Sequence, residues 1–124
     1  MAKMKYRRAT ALVVRNGKVL LVRYRGAMSY SLPGGRIDGA ETSLEAAVRE
    51  VREETKLRAY SARRLTDCDF TGNTSRHFVS EVMVGDGKVK LQRKEIDRHL
   101  WWDGKSSIQA NGHVYSIIKS SGLL

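Results

Sequence analysis

Residues 35–57 read GRIDGAETSLEAAVREVREETKL, and this stretch predicts a loop followed by one long helix. Thr42 and Glu45 have the spacing of a capping box, in which each side chain accepts a hydrogen bond from the other residue's backbone amide. Apolar side chains then recur at intervals of three and four residues, at Leu44, Ala47, Val48 and Val51. Because that period forms one apolar stripe, we predict a helix that begins after Thr42 and ends near Thr55.

The same helix carries a cluster of carboxylates. Glu50 and Glu54 lie one turn apart on one helix face, and Glu53 adjoins them. Like charges at this spacing destabilise a helix by about 0.2–0.5 kcal/mol per pair. A hard divalent cation prefers oxygen ligands and would remove that cost. The other interpretation, a solvated acidic face that pairs with Arg49 and Arg52, is the commoner one for a glutamate cluster taken alone.

The context of the cluster resembles the signature of the Nudix hydrolase family. That signature reads Gly-x5-Glu-x7-Arg-Glu-U-x-Glu-Glu-x-Gly-U, where U is a bulky aliphatic residue. The chain matches it in register at Gly35, Glu41, Arg49, Glu50, Val51, Glu53, Glu54 and Leu57. Lys56 departs from the signature, because the family has glycine there. We expect Lys56 to cost local stability or to end the helix differently.

The resemblance implies both a fold and a reaction. The fold is of the α/β class, an α/β/α sandwich around a mixed β-sheet, and we expect residues 1–124 to form a single domain of this type. The family hydrolyses a nucleoside diphosphate linked to another moiety by attack of water on phosphorus. The chain is thus similar to a metal-dependent pyrophosphohydrolase, with Mg²⁺ or Mn²⁺ as its cofactor.

The resemblance also assigns roles to the acidic residues. Glu50, Glu54 and the carbonyl of Gly35 would bind the metal. Glu53 would be either a further ligand or the base that activates water, and Glu95 is the competing candidate for the base. The family varies in which glutamate is the base, so both assignments stay open at this point.

Two further residues of the motif would support the site. By the same resemblance, Arg49 would pair with a carboxylate of the motif and orient Glu50. Glu41 would stabilise the junction between the loop and the helix. Candidates for substrate binding are Arg23, Arg25, Arg36 and Asn111.

The substrate contacts rest on residue type and position. The three arginines lie near the predicted loop, and a guanidinium can hold a phosphate through two parallel hydrogen bonds. Solvated surface is an equally good interpretation for each of them. Asn111 opens the predicted last helix and could bind a purine edge, but a helix N-cap is the better interpretation of an asparagine there.

Turn signals and apolar runs predict the remaining elements. Asn16-Gly17 separates two stretches rich in Val and Leu, 10–14 and 18–24, and accepts positive φ at both turn positions, so we predict a β-hairpin. Residues 26–38 are predicted to be loop. Further strands are predicted at 63–70, 76–84, 88–91 and about 97–102, and a C-terminal helix at 112–120 with Val114, Ile117 and Ile118 facing inward.

Two polar residues of the predicted strand 76–84 are weaker candidates. His77 is more often structural than catalytic in such a position, because a titrating histidine needs a partner. Glu81 could reach the metal site as one more carboxylate. Neither has a fixed spacing from the helix glutamates.

Charge is distributed unevenly along the chain. The 124 residues carry a net charge of +10, which favours anionic partners. Residues 41–54, however, hold five acidic and two basic residues. This distribution suits carboxylates that hold a metal within a positive surface that attracts phosphates. A nucleic-acid partner is compatible with the charge but is not required by it.

Three functions remain open from the sequence. The first is hydrolysis of a nucleoside triphosphate or similar small nucleotide, which the short chain favours. The second is an RNA 5′-end pyrophosphohydrolase, which the basic charge favours. The third is a non-catalytic nucleotide- or RNA-binding module on the same fold, and the three helix carboxylates argue against it.

Cysteine content and hydropathy restrict the class of protein. Cys68 is the only cysteine, which excludes an intrachain disulfide and favours a reducing compartment. The apolar runs 11–14 and 19–22 are short and split by a polar turn, so neither a signal peptide nor a transmembrane helix is predicted. We expect a cytoplasmic protein, a monomer or homodimer, with a small nucleotide as its substrate and no membrane partner.

Overall fold

The computed structural model describes residues 6–124, and the fold begins with a long antiparallel hairpin. Strands β1 (Tyr6–Arg15) and β2 (Lys18–Tyr24) flank the tight turn. Asn16 has a φ of 52° and Gly17 a φ of 73°. Positive φ at both central positions is the conformation of a type I′ turn, which matches the twist of the flanking strands. The predicted hairpin is confirmed.

Five further strands complete one mixed sheet. They are β3 (Gly34–Arg36), β4 (Ala59–Arg64), β5 (Phe70–Thr71), β6 (Ser75–Val84) and β7 (Ile96–Trp102). The main path runs β4-β6-β1-β2-β7, with β3 paired to β1 and β5 to β6. β1 and β6 are parallel, and the other pairs are antiparallel. The strands predicted at 76–84 and 97–102 are confirmed.

The sheet is covered by a helix on each face. Helix α1 (Ser43–Thr55) packs with one set of buried residues, which includes Ala9, Ala11 and Val13 of β1. Helix α2 (Gly112–Ser121) packs with the other set, which includes Leu12 of β1 and buries Val114, Ile117 and Ile118. Alternate residues of β1 thus serve opposite faces. The predicted α/β/α sandwich and the C-terminal helix are confirmed.

Both ends of α1 follow from local sequence. The amide of Glu45 donates to Oγ1 of Thr42 at 3.1 Å, and the amide of Thr42 donates to Oε1 of Glu45 at 2.9 Å. The helix ends at Thr55, and Lys56 follows with a left-handed φ of 65°. Lys56 therefore adopts the conformation that glycine adopts at lower cost. The predicted helix and its capping box are confirmed.

The predicted loop at 26–38 contains a short strand. In the pairing of β3 with β1, Gly34 lies opposite Thr10 and Gly35 opposite Ala9. A Cβ on Gly34 would lie 2.1 Å from the carbonyl oxygen of Ala9, so only glycine permits this approach. A strand that begins with two glycines has no side-chain alternation to reveal it, which is why the prediction of loop was wrong here.

The strand predicted at 63–70 is wrong in its bounds. β4 ends at Arg64, a single 3₁₀ turn spans Thr66–Cys68, and β5 is a separate short strand. Asp69 interrupts the run, because its carboxylate accepts from the amide of Val79 at 2.7 Å and pairs with Arg64 at 2.5 Å. A carboxylate that bonds to a neighbouring backbone competes with a continuous strand ladder.

No strand forms at 88–91 in the described structure. The segment lies instead against the end of α1, where the amide of Lys90 donates to the carbonyl of Thr55 and the amide of Gln92 to that of Glu54, both at 2.9 Å. The last carbonyls of a helix have no intrahelical partner, and this segment supplies two. Val89 packs on the core beside α1. Its apolar side chain explains the pattern that predicted a strand.

Candidate active site

Glu50, the first glutamate of the predicted cluster, packs against the backbone of Gly35. A Cβ on Gly35 would lie 2.5 Å from the carboxyl carbon of Glu50, so the carboxylate lies directly against the glycine backbone. Burial raises the pKa of the Glu50 carboxyl, and the charges of Glu53 and Glu95 add to that effect, while the hydrogen bond from Arg49 opposes it. Strand β3 and helix α1 therefore bring together Gly35 and Glu50, two of the predicted metal ligands.

Glu54 is the most deeply buried carboxylate of α1, with 2% of its surface exposed. Its Oε2 accepts from the hydroxyl of Tyr24 at 3.0 Å, and its Oε1 accepts from the amide of Gly34 at 3.1 Å. Burial raises the pKa of Glu54 to about 8, although both hydrogen bonds oppose the shift. A cation beside this carboxylate would favour its charged form.

Arg49 links the acidic side chains around the start of the site. Its guanidinium lies 2.6 Å from Glu41, 2.8 Å from Glu50, 3.2 Å from Glu53 and 3.4 Å from Asp38. The hydrogen bond to Glu41 is the largest cause of the raised pKa of Arg49. Glu41 also accepts from the amide of Asp38 at 2.9 Å. These contacts agree with the roles predicted for Arg49 and Glu41, which remain predictions.

The two candidate bases are both exposed. Glu53 has 57% of its side chain exposed and bonds to Arg49. Glu95 lies in the segment before β7, where its amide donates to the carbonyl of Gln92 at 3.1 Å. Its charge acts on Glu50 and helps to raise the pKa of that carboxyl, so Glu95 lies near the cluster. Both carboxylates have access to solvent water, as a base for hydrolysis requires.

The arginines predicted to bind substrate have contacts within the protein. Arg23 forms an ion pair with Asp97 at 2.7 Å, and Nε of Arg25 donates to a backbone carbonyl in the segment before β7. Arg36 lies over the ring of Tyr6, 4.3 Å from its centroid. None of the three lines the cavity described next, although Tyr6 does. Their predicted contact with substrate stays a prediction.

A cavity of about 430 Å³ lies where β1, β6 and α2 begin. This volume is typical of a small-molecule site. Its lining includes the aromatic rings of Tyr6, Tyr24 and Phe70 and the polar side chains of Arg8, His77, Asn111 and His113. The described residues that line it include no carboxylate. Sequence reasoning did not identify Arg8, Tyr24 or His113.

Arg8 connects this cavity to the carboxylates of α1. Its Nη2 donates to the hydroxyl of Tyr24 at 3.3 Å and to the carbonyl of Leu32 at 3.0 Å. Tyr24 in turn bonds to Glu54, so the cavity and the helix share a hydrogen-bonded wall. Strand alternation could have identified Arg8, since it lies two residues from the buried Thr10 and hence on the same face.

His77 forms a fixed, uncharged part of the cavity wall. Its Nδ1 lies 2.8 Å from Oγ1 of Thr10 and its Nε2 lies 3.0 Å from Oγ of Ser75. Its ring stacks on Phe70 with the centroids 4.2 Å apart. Burial, and then the charge of Arg8, lowers the pKa of His77 to about 4. The structural interpretation of this residue is therefore favoured over a catalytic one.

Asn111 occupies the N-cap position of α2 without capping it. Its side chain makes no capping hydrogen bond, and Nδ2 donates instead to Oγ of Ser31 at 2.7 Å. The preferred prediction of a helix N-cap is confirmed for the position of Asn111, but its side chain supplies no capping hydrogen bond. Because the side chain lines the cavity, the alternative prediction that Asn111 contacts substrate stays open.

Glu81 does not reach the carboxylates of α1. It is 5% exposed and pairs with Arg63 at 2.6 Å. Residues 79 and 81 share a face of β6, and Val79 packs with α2, whereas Val82 packs with α1. The suggestion that Glu81 belongs to the metal site is therefore wrong.

The donor set of α1 fits a hard cation, although its oxygens already have protein partners. Within residues 6–124, no three side chains of His, Cys, Asp or Glu are grouped so as to hold a metal. Glu50 bonds to Arg49, and Glu54 bonds to Tyr24. The two carboxylates are nevertheless one turn apart, and burial is the first cause of the raised pKa of both. The charges of Glu53 and Glu95 add to the shift of Glu50, and the charge of Glu50 adds to the shift of Glu54. A divalent cation would reverse these unfavourable interactions.

Comparison with known proteins identifies this class of fold and site. A model of the NUDIX domain matches residues 5–106. The fold and the carboxylate-bearing helix are those of a Nudix domain, and the chain belongs to the Nudix family. The predicted family is thus confirmed.

Individual relatives agree with the family model. A Bacillus subtilis (strain 168) protein, provisionally named an 8-oxo-dGTP diphosphatase, is 48% identical over 42 residues, or 34% of this chain and 28% of that protein. A provisionally assigned Nudix hydrolase family member from Chromobacterium violaceum has a TM-score of 0.78 at 28% identity, over 96% of this chain and 78% of that one. The MutT Nudix hydrolase from Burkholderia pseudomallei has a TM-score of 0.77 at 20% identity, over 95% and 98% of the two chains.

Neither α1 nor α2, nor any other helix within residues 6–124, combines the length and the apolar character that crossing a bilayer requires.

Proposed function

We propose that the protein is a metal-dependent pyrophosphohydrolase that cleaves a nucleoside diphosphate linked to another moiety, namely a nucleoside triphosphate or a similar small nucleotide. One observation carries this proposal. An aromatic-walled cavity of nucleotide size shares the Arg8–Tyr24 wall with the buried carboxylate of Glu54. A base and sugar in the cavity would therefore have their phosphates beside the glutamates of α1.

The carboxylates of α1 and the loop before it would hold Mg²⁺ or Mn²⁺. Glu50, Glu54 and the carbonyl of Gly35 are the ligands that we propose, with Glu53 as a further ligand or as the base. When bound, the cation offsets phosphate charge and makes a bound water more acidic. Arg49 holds Glu50 against Gly35 through its 2.8 Å contact, and Tyr24 holds Glu54.

The hydrolytic step needs one base and one leaving group. The oxygen of water forms a bond to phosphorus, and the phosphorus–oxygen bond of the anhydride breaks, with its electron pair leaving on the departing phosphate oxygen. The proton of the water passes to a carboxylate, for which exposed Glu53 and Glu95 are the candidates. Arg49 lies 3.2 Å from Glu53 and orients that carboxylate.

The names of relatives support a nucleotide substrate. The Bacillus subtilis relative is provisionally named for 8-oxo-dGTP, and a structure with a TM-score of 0.74 from Streptococcus suis is named an ADP-ribose pyrophosphatase. Both names describe nucleotides that contain a diphosphate linkage. We propose a cytoplasmic location as well, which the single, buried, free Cys68 supports.

The test is an assay of a panel of nucleotides with Mg²⁺ and with Mn²⁺. The measured quantity is the release of pyrophosphate, phosphate or nucleoside monophosphate. Wild-type protein should hydrolyse at least one nucleotide, and Glu53→Gln and Glu54→Gln should each lose most of that activity. Asp86→Asn is the control, since Asp86 is an exposed acid outside α1. Full activity in both glutamine variants would contradict the proposal.

A second candidate function is hydrolysis at an RNA 5′ end. A depression at the end of α1 is lined by one acidic residue, Glu53, and four basic ones, Arg49, Arg52, Lys56 and Arg58. The exposed Lys88 and Lys90 lie in the segment that bonds to the same helix end. Such a surface suits a phosphate backbone. RNA with a 5′ triphosphate should then be a better substrate than the free nucleotide, and its binding should weaken with salt.

A further inference from the structure

Arg8 is the cation of the cavity. Among the described residues, no carboxylate forms an ion pair with it, and the charge of Arg8 helps to lower the pKa of both His77 and His113. The two histidines are therefore uncharged near neutral pH. A ligand in this cavity meets one positive group and, within the described lining, no negative one.

The guanidinium of Arg8 uses only one of its three nitrogens in hydrogen bonds to described residues. Nη2 is used by the hydroxyl of Tyr24 and the carbonyl of Leu32, while no described acceptor bonds to Nη1 or Nε. Arg8 lines the cavity, so these donors face the space that a ligand would occupy. Since a guanidinium donates and never accepts, this wall is complementary to an acceptor.

Asn111 adds a group of the opposite kind. Its Nδ2 donates to Ser31, which leaves the amide oxygen as a hydrogen-bond acceptor. Arg8 donates to the carbonyl of Leu32, which follows Ser31 in the chain. The side chains of Arg8 and Asn111 are therefore anchored on the same segment. A nucleobase edge with a ring C=O beside a ring N–H can accept from a guanidinium and donate to an amide oxygen at the same time. Guanine, uracil and thymine have such an edge, whereas adenine and cytosine have an amine beside an unprotonated nitrogen.

We propose that Arg8 is a specificity-determining residue that selects nucleobases with this keto-and-imino edge. The inference rests on the proposed function, because it takes the ligand of the cavity to be a nucleotide. The aromatic walls supply stacking for any base, and only the polar edge distinguishes one base from another. An amine placed opposite Arg8 leaves two donors facing each other, so adenine and cytosine are disfavoured.

The experiment measures binding of nucleoside monophosphates without catalysis. Isothermal titration in EDTA would give dissociation constants for GMP, UMP, AMP and CMP, whose phosphates are the same. Wild-type protein should bind GMP and UMP about 10- to 100-fold more tightly than AMP and CMP, the effect expected for a hydrogen bond to a charged group. Arg8→Met should abolish this preference.

Arg7→Met is the matched control. Arg7 is adjacent on β1 but exposed, on the opposite face, where it lies 5.2 Å from the ring centroid of Phe78. The Arg7 variant should keep the preference for keto bases. Thermal melting shows whether each variant is folded. If Arg8→Met does not fold, Arg8→Lys decides, because it keeps the charge, lacks the planar fork and should reduce the preference.

Two results would overturn the inference. One is equal binding of the four monophosphates by wild-type protein, and the other is a wild-type preference retained in a folded Arg8 variant. The proposed function is tested separately, by the hydrolysis assay. A protein that prefers keto bases but hydrolyses no nucleotide would leave the inference standing, whereas hydrolysis with no base preference would refute the inference alone.

Discussion

The hydroxyl of Tyr24 lies 3.0 Å from Oε2 of Glu54 and within hydrogen-bond distance of Arg8, so one phenol contacts both halves of the site. Burial, followed by the charge of Glu54, raises the pKa of Tyr24, and its proton is therefore retained. Tyr24 can donate to the buried carboxylate while it accepts from the arginine. This arrangement orients Glu54 by a hydrogen bond from outside the proposed metal-ligand set.

Removing the phenol oxygen of Tyr24 should lower the affinity of the candidate site for Mg²⁺. Tyr24→Phe deprives Glu54 of a donor, and loss of such an orienting partner typically costs about 10- to 100-fold in metal affinity or activity. We expect a higher Mg²⁺ concentration for half-maximal activity, measured by titration of the rate. Tyr60→Phe is the control, since Tyr60 is 69% exposed. An unchanged Mg²⁺ dependence in Tyr24→Phe would show that the contact is not needed.

A methyl group on Gly35 should displace the adjacent carboxylate. In Gly35→Ala the added Cβ would lie 2.5 Å from the carboxyl carbon of Glu50, so that side chain must move. A displacement of this size should lower kcat/KM by about tenfold or more, with about 1 kcal/mol or less lost in unfolding free energy. Activity assays and urea denaturation measure the two effects.

The control for that substitution is Gly85→Ala. A Cβ at Gly85 meets no atom within 4 Å, and its φ is not in the left-handed region. This variant should keep wild-type activity. If Gly35→Ala behaves in the same way, the close contact with Glu50 has no part in function.

Restoring the family's glycine after α1 should stabilise the protein. Lys56 has a left-handed φ of 65°, which costs a residue with a Cβ about 1 kcal/mol relative to glycine. We expect Lys56→Gly to raise the free energy of unfolding by up to about 1 kcal/mol, measured by urea denaturation. Lys56→Ala keeps the Cβ and should bring no such gain, so equal stability of the two variants would refute the explanation.

Acid should destabilise the fold through His77. The unfolded imidazole binds a proton near pH 6.5, but burial lowers the folded pKa to about 4. Between these values the unfolded state binds more protons, so stability falls as pH drops from 6.5 towards 4, by about 2 kcal/mol from this residue. Unfolding free energies measured across that range should show a smaller slope for His77→Gln. An identical slope would assign the acid sensitivity to other groups.

Local signals allowed much of the fold to be predicted. Asn16-Gly17 and the Thr42–Glu45 capping box act within a few residues, and the structure has both. Strand β3 and the segment at 88–91 depend on distant backbone partners instead. Gly34 pairs with β1, and Lys90 bonds to the carbonyl of Thr55, and neither contact leaves a side-chain pattern in the sequence.

The residues of the candidate site also fall into two groups, those that a local pattern reveals and those that only the fold brings together. Glu50, Glu53 and Glu54 could be found because they lie on one helix at fixed spacings within a known motif. Arg8 and Tyr24 come from separate strands, and only the folded sheet brings them beside Glu54. Arg23 illustrates the same point, because its ion pair with Asp97 joins two strands and leaves no local pattern in the sequence; its predicted contact with substrate stays a prediction.

The bonds from Lys90 and Gln92 to the end of α1 use main-chain atoms alone, with consequences for how this segment can vary during evolution. The side chain of Lys90 can change without moving Glu95, because the peptide groups keep the register, whereas the side-chain oxygen of Gln92 also accepts from the amide of Lys94 at 2.8 Å. Proline is the exception, since it lacks the amide hydrogen that each bond requires. The segment can therefore exchange the exposed charges of Lys88 and Lys90 while the geometry beside the glutamates is inherited unchanged.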